Sequence, residues 1–193
     1  EFGLPAATPH RPVIGIVGSR THTLPFIYQL IAQISAHHSP ADVRIALLSQ
    51  QHRYKGWQWL RWLPHTSLEQ TGGKPDLIAF GSSPCRALIT ALSKSLDQRS
   101  HTANHAQLAA SGSPFYLVIF DGQADIQDEP GFISLIRNGK ALNAAAIIIT
   151  ERLQDVPADC DGLIQIRGHH IRYAKTGPQG ISVSSNGTIS WVP

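Results

Sequence analysis

Short, continuously apolar runs alternate with helix-like segments along most of this 193-residue chain, and this alternation constrains the fold most. The runs that we assign to strands are Pro12–Val17, Val43–Ser49, Leu77–Phe80, Phe115–Phe120, Ala144–Thr150 and Leu163–Ile166. Strands that are apolar throughout are typical of parallel sheets buried on both faces. Strands that alternate with helices predict such a sheet with helices on either side. We therefore expect an α/β domain over residues 12–167, a mainly parallel, Rossmann-like three-layer fold with its first and fourth strands near the centre.

The segments between these runs carry helical signals. After Thr23, a candidate N-cap, apolar residues recur at helical spacing as Phe26, Ile27, Leu30, Ile31 and Ile34. A short helix is expected over residues 54–63. A long helix follows the turn at residues 81–84, with Cys85, Leu88, Ile89, Leu92 and Leu96 on one face. Residues 131–138 predict another helix, with Gly139 as its C-cap.

The two ends of the chain differ from this pattern. Residues 1–11 are Pro-rich and are interpreted as a linker. Near the other end, Asn186-Gly187 is flanked by two β-prone runs and predicts the turn of a β-hairpin. We expect residues 168–193 to form a β-hairpin tail that leads toward a next module. The chain has no Met and begins with Glu1, so we treat it as an excised fragment.

Composition excludes several classes of protein and of site. Apolar residues make up 42% of the chain and charged residues 15%, which is typical of a globular domain. The net charge is +3 without a dense basic cluster, so no nucleic-acid partner is expected. No apolar run is long enough to span a membrane, and no direct membrane contact is expected. Cys85, Cys160 and the ten His lack metal-binding spacing, so no metal site and no catalytic residue is assigned.

The first strand, turn and helix resemble the phosphate-binding loop of P-loop NTPases in layout but not in chemistry. Such a loop follows GxxxxGK[ST], in which Lys neutralises phosphates and Ser or Thr binds Mg²⁺. With Gly18 on the first Gly, the Lys position falls on Leu24 and the Ser/Thr position on Pro25. Neither residue can supply the charge or the hydroxyl. The pattern predicts a degenerate P-loop NTPase-like domain, with Gly18, Ser19 and Arg20 at the remnant of the site.

An acid follows the fourth strand at the position where working NTPases carry a Mg²⁺-organising carboxylate. This acid is Asp121, and Gly122 stands where a second carboxylate would polarise the attacking water. Asp121 is either a residual nucleotide-binding residue or a turn residue paired with Gly122. Arg20 can likewise contact a phosphate or form a structural salt bridge, and the sequence leaves both alternatives open.

Several stretches resemble the segment that precedes the first ATPase module of EccC/EssC-type proteins, the FtsK/SpoIIIE-family motors of type VII secretion. The most specific stretch is Trp57-Gln58-Trp59-Leu60-Arg61-Trp62-Leu63-Pro64-His65. The others are Gly15–Arg20, His38–Arg44, Phe115–Gly122 and Leu153–Cys160. The likeness covers residues 12–167.

The resemblance implies a non-catalytic structural or regulatory domain at the cytoplasmic face of the cell membrane. It implies adjacent ATPase modules and the membrane stalk of the same chain as partners, with subunits of the secretion complex as further candidates. It implies ATP and Mg²⁺ as cofactors of the parent protein, while none is expected in this fragment. The alternatives are an atypical ATP-binding domain and a module of a DNA translocase. Independently of the resemblance, Trp57, Trp59, Arg61 and Trp62 predict a partner surface, since Trp and Arg are typical interface anchors.

Overall fold

The computed structural model describes residues 13–68, 77–102, 113–122, 126–139, 141–177 and 180–188. Eight strands form one sheet: β1 (Val13–Val17), β2 (Val43–Ser49), β3 (Ile78–Phe80), β4 (Phe115–Asp121), β5 (Ala144–Thr150), β6 (Gly162–Arg167), β7 (His170–Gly177) and β8 (Gly180–Thr188). Their order is β3-β2-β4-β5-β1-β6-β7-β8. The first six are mutually parallel, and β7 and β8 continue the sheet antiparallel. The predicted mainly parallel fold is confirmed, with β1 and β4 both interior.

Within the described residues, four α-helices accompany the sheet: α1 (Arg20–His37), α2 (Tyr54–Trp57), α3 (Ser82–Thr102) and α4 (Pro130–Asn138). Short 3₁₀ turns at Gln51–Arg53, Gln58–Trp62 and Pro64–Thr66 surround α2. The expected helix over residues 54–63 is therefore one turn of α-helix continued by 3₁₀ turns.

The helices divide between the two faces of the sheet and form a three-layer core. On one face, Ile27 and Ile31 of α1 pack with Trp57, Leu60 and the β-strand residues that point the same way. On the other face, α3 contributes Cys85, Ile89, Leu92 and Leu96, and α4 contributes Phe132, Leu135 and Ile136. Apolar runs such as β2 and β4 are buried because both of their faces are covered.

Two sequence predictions about local structure are wrong. Helix α1 begins at Arg20, with Ser19 as its N-cap, so Thr23 lies inside the helix and is buried. Asn186 and Gly187 do not form a turn but lie within β8, opposite Arg172 and Ile171 of β7. The antiparallel pair at the end of the sheet therefore exists, but it consists of β7 and β8. The predicted linker over residues 1–11 and the strand residues beyond Thr188 lie outside the described residues.

Candidate functional site: the carboxyl edge of the parallel sheet

The candidate site lies where the parallel strands end. Ser49 is the last residue of β2, Asp121 the last of β4, and the two are paired in register. The turn at Gly18 and Ser19 follows β1 at the same edge, because β1 and β4 both pair with β5. In open α/β sheets, ligands bind outside the carboxyl ends of the strands. The topology therefore brings Gly18, Ser19, Arg20 and Asp121 to one edge of the sheet.

The turn after β1 is too short to wrap a phosphate. Only Ser19 separates Gly18 from the first residue of α1, whereas GxxxxGK places four residues between its glycines. Leu24 is consequently a helical residue that packs partly buried against the core, and Pro25 is inside the helix. The departure from the nucleotide-binding loop is therefore one of backbone geometry as well as of residue type.

Gly18 has a packing role in the turn after β1. A Cβ atom on Gly18 would lie 2.4 Å from the carbonyl oxygen of Ile166, so any side chain would force the strands apart. The Gly18 N–H donates to the carbonyl of Thr150 at 3.2 Å. The glycine thus permits close contact between β1 and β6 and is not by itself a sign of phosphate binding.

Asp121 is fully buried and is the centre of the site. Arg20 Nη1 donates to both carboxylate oxygens, at 2.5 Å to Oδ1 and 2.8 Å to Oδ2. Arg53 Nη1 donates to Oδ1 at 2.5 Å, and Trp57 Nε1 donates to Oδ2 at 2.7 Å. Ser49 Oγ lies 3.3 Å from Oδ2. A carboxylate has about four lone-pair positions, so these donors use its hydrogen-bonding capacity fully.

The two guanidinium groups compensate the buried charge of Asp121. The side chain of Arg20 is 24% exposed and that of Arg53 14% exposed, so both are largely removed from water beside the carboxylate. Removing one partner of a buried ion pair costs about 3–5 kcal/mol, because the other charge stays buried without compensation. We call the five residues that meet here the Asp121 cluster: Asp121, Arg20, Arg53, Trp57 and Ser49. Within it, both oxygens of the buried carboxylate are paired with donors of the chain itself.

Sequence reasoning singled out Arg20 and Asp121 but missed Arg53 and Ser49 as members of the cluster. Of the two alternatives for Arg20, the structure shows the salt bridge. Arg53 lies in the polar stretch between β2 and α2, which has no periodic pattern. The available signal was positional, because Arg53 follows the end of β2 and β2 is the neighbour of β4.

Gly122 leaves room for the Arg53 guanidinium because it has no side chain. Its φ angle is +72°, a backbone conformation that favours glycine. A Cβ atom at this position would lie 2.6 Å from Arg53 Nη1. A second acid directly after Asp121 would therefore displace the guanidinium that neutralises Asp121.

The stretch Trp57-Gln58-Trp59-Leu60-Arg61-Trp62-Leu63-Pro64-His65, here called the tryptophan motif, lies partly in the interior. Trp57 is fully buried, so it belongs to the Asp121 cluster and not to the partner surface on which we expected it. Trp59 is half-buried and makes an edge-to-face contact with Tyr28, with ring centroids 5.3 Å apart. At the end of the motif, His65 is buried and donates from Nε2 to the carbonyl of His38 at 2.9 Å. Trp62, by contrast, is 82% exposed.

Tyr28 links the motif to α1. Its hydroxyl donates to the carbonyl of Gly56, and its ring contacts those of Trp57 and Trp59. Burial raises the pKa of the Tyr28 hydroxyl, while the positive charge of Arg20 acts in the opposite direction. The hydroxyl is therefore a stable proton donor that fixes the motif against α1.

Clefts open at this edge of the sheet. A cleft of about 880 Å³ is bordered by Arg53, Gly122, Thr150 and Glu151. A smaller cleft of about 420 Å³ lies at the start of α1, bordered by Gly18, Ser19, His22 and Arg167. Among the described residues, no group of three or more His, Cys, Asp or Glu side chains is arranged to hold a metal ion.

Parts of the sequence are similar to those of known ESX secretion system proteins. The ESX secretion system protein EccC of Geobacillus thermodenitrificans is 41% identical over 61 residues, or 32% of this chain. EccC of Thermomonospora curvata is 36% identical over 97 residues, or 48% of this chain. YukB of Bacillus subtilis, also an ESX secretion system protein, is 21% identical over 157 residues, or 81% of this chain. Parts of the chain are thus similar in sequence to EccC-type secretion proteins. The chain spans 4%, 7% and 10% of the length of these relatives, respectively.

Solved structures show the same fold. ATPases 2 and 3 of EssC from Geobacillus thermodenitrificans superpose with a TM-score of 0.66 at 11% identity, covering 92% of this chain and 39% of that one. The cytoplasmic domain of EssC gives 0.59 at 18% identity, covering 77% and 30%. The genome packaging NTPase B204 of Sulfolobus turreted icosahedral virus 2, in complex with ATP-γS, gives 0.56 at 10% identity, covering 93% and 98%. The P-loop NTPase-like α/β fold is thus confirmed for this chain. No protein-family model matches it.

In the described part of the chain, no helix is long and apolar enough to cross a membrane.

Proposed function

We propose that this chain is a non-catalytic structural and regulatory module of a membrane-anchored, FtsK/SpoIIIE-type ATPase that drives type VII-like protein secretion. It lies at the cytoplasmic face of the membrane and packs against ATPase modules of the same polypeptide. The observation that carries the proposal is the Asp121 cluster, in which two arginines neutralise the acid at the Mg²⁺-organising position. The EccC/EssC relatives supply the secretion context.

The residues present do not fit Mg²⁺ and a nucleotide. Mg²⁺ requires oxygen ligands at about 2.0–2.1 Å in octahedral geometry. Both oxygens of Asp121 already accept hydrogen bonds from Arg20, and Arg53 and Trp57 add one each. A divalent cation would have to displace these donors and lie beside two guanidinium charges. The loop supplies neither a Lys nor a Ser or Thr hydroxyl at the positions that could compensate.

The contacts of Asp121 join three segments of the chain. Arg20 begins α1, Arg53 and Trp57 belong to the segment after β2, and Asp121 ends β4. One carboxylate thereby joins three segments at the carboxyl edge of the sheet, whereas many enzymes rely on loops that open and close around the substrate. We infer that the cluster holds the module in one conformation, so that it acts as a fixed contact for the neighbouring modules.

The contact surface in this proposal is the exposed end of the tryptophan motif. Trp62 is exposed, Arg61 lies beside it, and Trp59 is half-buried. Exposed Trp and Arg side chains are typical anchors of protein interfaces. The partner we propose is an adjacent ATPase module of the same chain, as the multi-ATPase architecture of the EssC and EccC structures supports.

Phosphate release from ATP with Mg²⁺ tests the proposal. With the chain present, phosphate should be released from ATP no faster than in buffer without protein. The Asp121→Ala variant should give the same rate as the unaltered chain. Turnover above background that disappears in the variant would refute the non-catalytic role and favour an atypical ATPase. The DNA-translocase alternative predicts a shift of duplex DNA that weakens with salt, which the present proposal does not.

A further inference from the structure

The last 32 residues of the chain carry basic side chains and no acidic ones. Residues 162–193 contain Arg167, Arg172 and Lys175, and they contain no Asp or Glu. The whole chain has 16 basic and 13 acidic residues, so the part before residue 162 is formally neutral. The antiparallel end of the sheet therefore has an electrostatic preference for an acidic partner.

The strand register collects the basic side chains on one face. Arg167 of β6 is opposite His170 of β7, and Gln165 is opposite Arg172. On the other side of β7, Thr188 and Asn186 of β8 are opposite His170 and Arg172. Residues directly opposite each other in an antiparallel pair point to the same side of the sheet. These six residues form a single polar face, here called the cationic face.

The cationic face is open to solvent. Arg167, His170, Arg172, Asn186 and Thr188 are all exposed, and Gln165 is half-buried. Further along the same face, Leu163 and Ala174 are buried with Val17 and Val156. The apolar end of this face is thus covered by the chain itself, whereas the polar end is uncovered by the described residues.

Neither arginine is neutralised within the described residues, where no carboxylate forms an ion pair with Arg167 or Arg172. Glu151 borders the same cleft as Arg167, but its carboxylate lies 3.8 Å from Arg53 Nη2. A carboxylate beside these side chains would therefore be attracted by two arginine charges.

We propose that the cationic face binds an acidic polypeptide segment in extended conformation. Positions two apart on one strand are about 7 Å apart. An extended segment with acids at alternate positions therefore presents carboxylates at the spacing of His170 and Arg172. The Gln and Asn side chains and the Thr hydroxyl supply neutral donors and acceptors between the charges.

The number of charges favours a protein over the other anionic macromolecules. Anionic lipid surfaces are recognised by clusters of about four to eight Lys or Arg. Strong binding to duplex DNA uses about six to ten phosphate contacts. The cationic face has two arginines and one histidine, which suits a few carboxylates.

Binding of a fluorescent peptide in which Glu alternates with Ser tests the proposal directly. The intact chain should bind this peptide, and affinity should fall as salt rises from about 0.02 M to about 0.3 M, because screening shortens the reach of exposed charges. The double variant Arg167→Glu, Arg172→Glu should bind about tenfold or more weakly, since two attractive contacts become repulsive. The matched control Lys94→Glu, an exposed charge on α3, should bind as the parent does.

The remaining arms separate the outcomes. A double Gln variant at positions 167 and 172 removes the charges without adding acids, and unchanged thermal unfolding of each variant verifies its fold. Equal binding by the parent and both double variants would refute the proposal. Preferential binding of a short DNA duplex or of phosphatidylserine vesicles through the same arginines would refute it in favour of those partners. None of these results depends on nucleotide binding, so the proposal stands or falls separately from the non-catalytic role.

Discussion

Asp121 is the residue on which the account depends, because it combines complete burial with ion pairs to two arginines. Asp121→Asn keeps the shape of the side chain but leaves Arg20 and Arg53 without a counter-charge. We expect a loss of about 3 kcal/mol in the free energy of unfolding, measured by urea denaturation. The exposed Asp128→Asn is the control and should change stability little. Equal denaturation midpoints for the two variants would contradict the structural role assigned to the cluster.

Gly122 permits a second test at the residue scale, because Gly168 provides a matched control. Both glycines have positive φ angles, +72° and +57°, so Ala at either position incurs backbone strain. Only at Gly122 would the new Cβ meet Arg53, at 2.6 Å, whereas nothing lies within 4 Å at Gly168. Gly122→Ala should therefore lower the unfolding temperature more than Gly168→Ala does. Similar decreases would mean that Arg53 is not held where the structure places it.

At the scale of elements, the tryptophan motif has a buried end and an exposed end, because Trp57 is buried beside Asp121 and Trp62 is exposed. Trp57→Phe retains an aromatic ring but removes the N–H that donates to Asp121. We expect destabilisation of about 1–3 kcal/mol, because a buried carboxylate loses a donor. Trp62→Phe should be nearly neutral for the isolated chain, since Trp62 is exposed. Chemical denaturation of the two variants measures this difference, and a larger effect at Trp62 would reverse the assignment.

Helix α1 explains why the nucleotide-binding loop cannot be restored by substitution alone. Leu24 and Pro25 lie in the fifth and sixth positions of the helix, beyond any turn that could face a phosphate. The double variant Leu24→Lys, Pro25→Ser should therefore show no rise in unfolding temperature with Mg²⁺ and ATP. Ligand binding to the folded state must raise that temperature, so a saturable rise would show that residue type, and not backbone geometry, is the barrier.

At the scale of the whole molecule, the sequence predicts the sheet better than the site. Apolar runs such as Val43–Ser49 and Ala144–Thr150 were bounded correctly, because burial on both faces leaves a continuous hydrophobic signal. The start of α1 was placed too late, since Ser19 caps the helix without a hydrophobic pattern of its own. Asn186-Gly187 was mistaken for a turn because its local preference is overridden by pairing with β7. Arg53 carried no sequence pattern, and only the proximity of β2 to β4 makes its contact with Asp121 visible.

The molecule as a whole has a P-loop NTPase-like fold in which Arg20 and Arg53 form ion pairs with Asp121, the acid at the end of β4. Solved ATPase domains of EssC and EccC have the same fold. The cationic end of the sheet and the exposed Trp62 lie outside the Asp121 cluster and provide separate candidate surfaces for partners. Each can be altered without changing the buried charges, which makes the three features experimentally separable.

Calorimetric titration of the chain with ATP in the presence of Mg²⁺ shows whether Asp121 can still take part in nucleotide binding. We expect no saturable heat, because Arg20 and Arg53 occupy the carboxylate that would organise the metal, and the turn after Gly18 cannot wrap the phosphates. Saturable binding that requires Mg²⁺ and is abolished by Asp121→Ala would contradict this expectation. Such a result would mean that the arginines leave Asp121 to admit a metal–nucleotide complex, and that the cluster is one state of a working site.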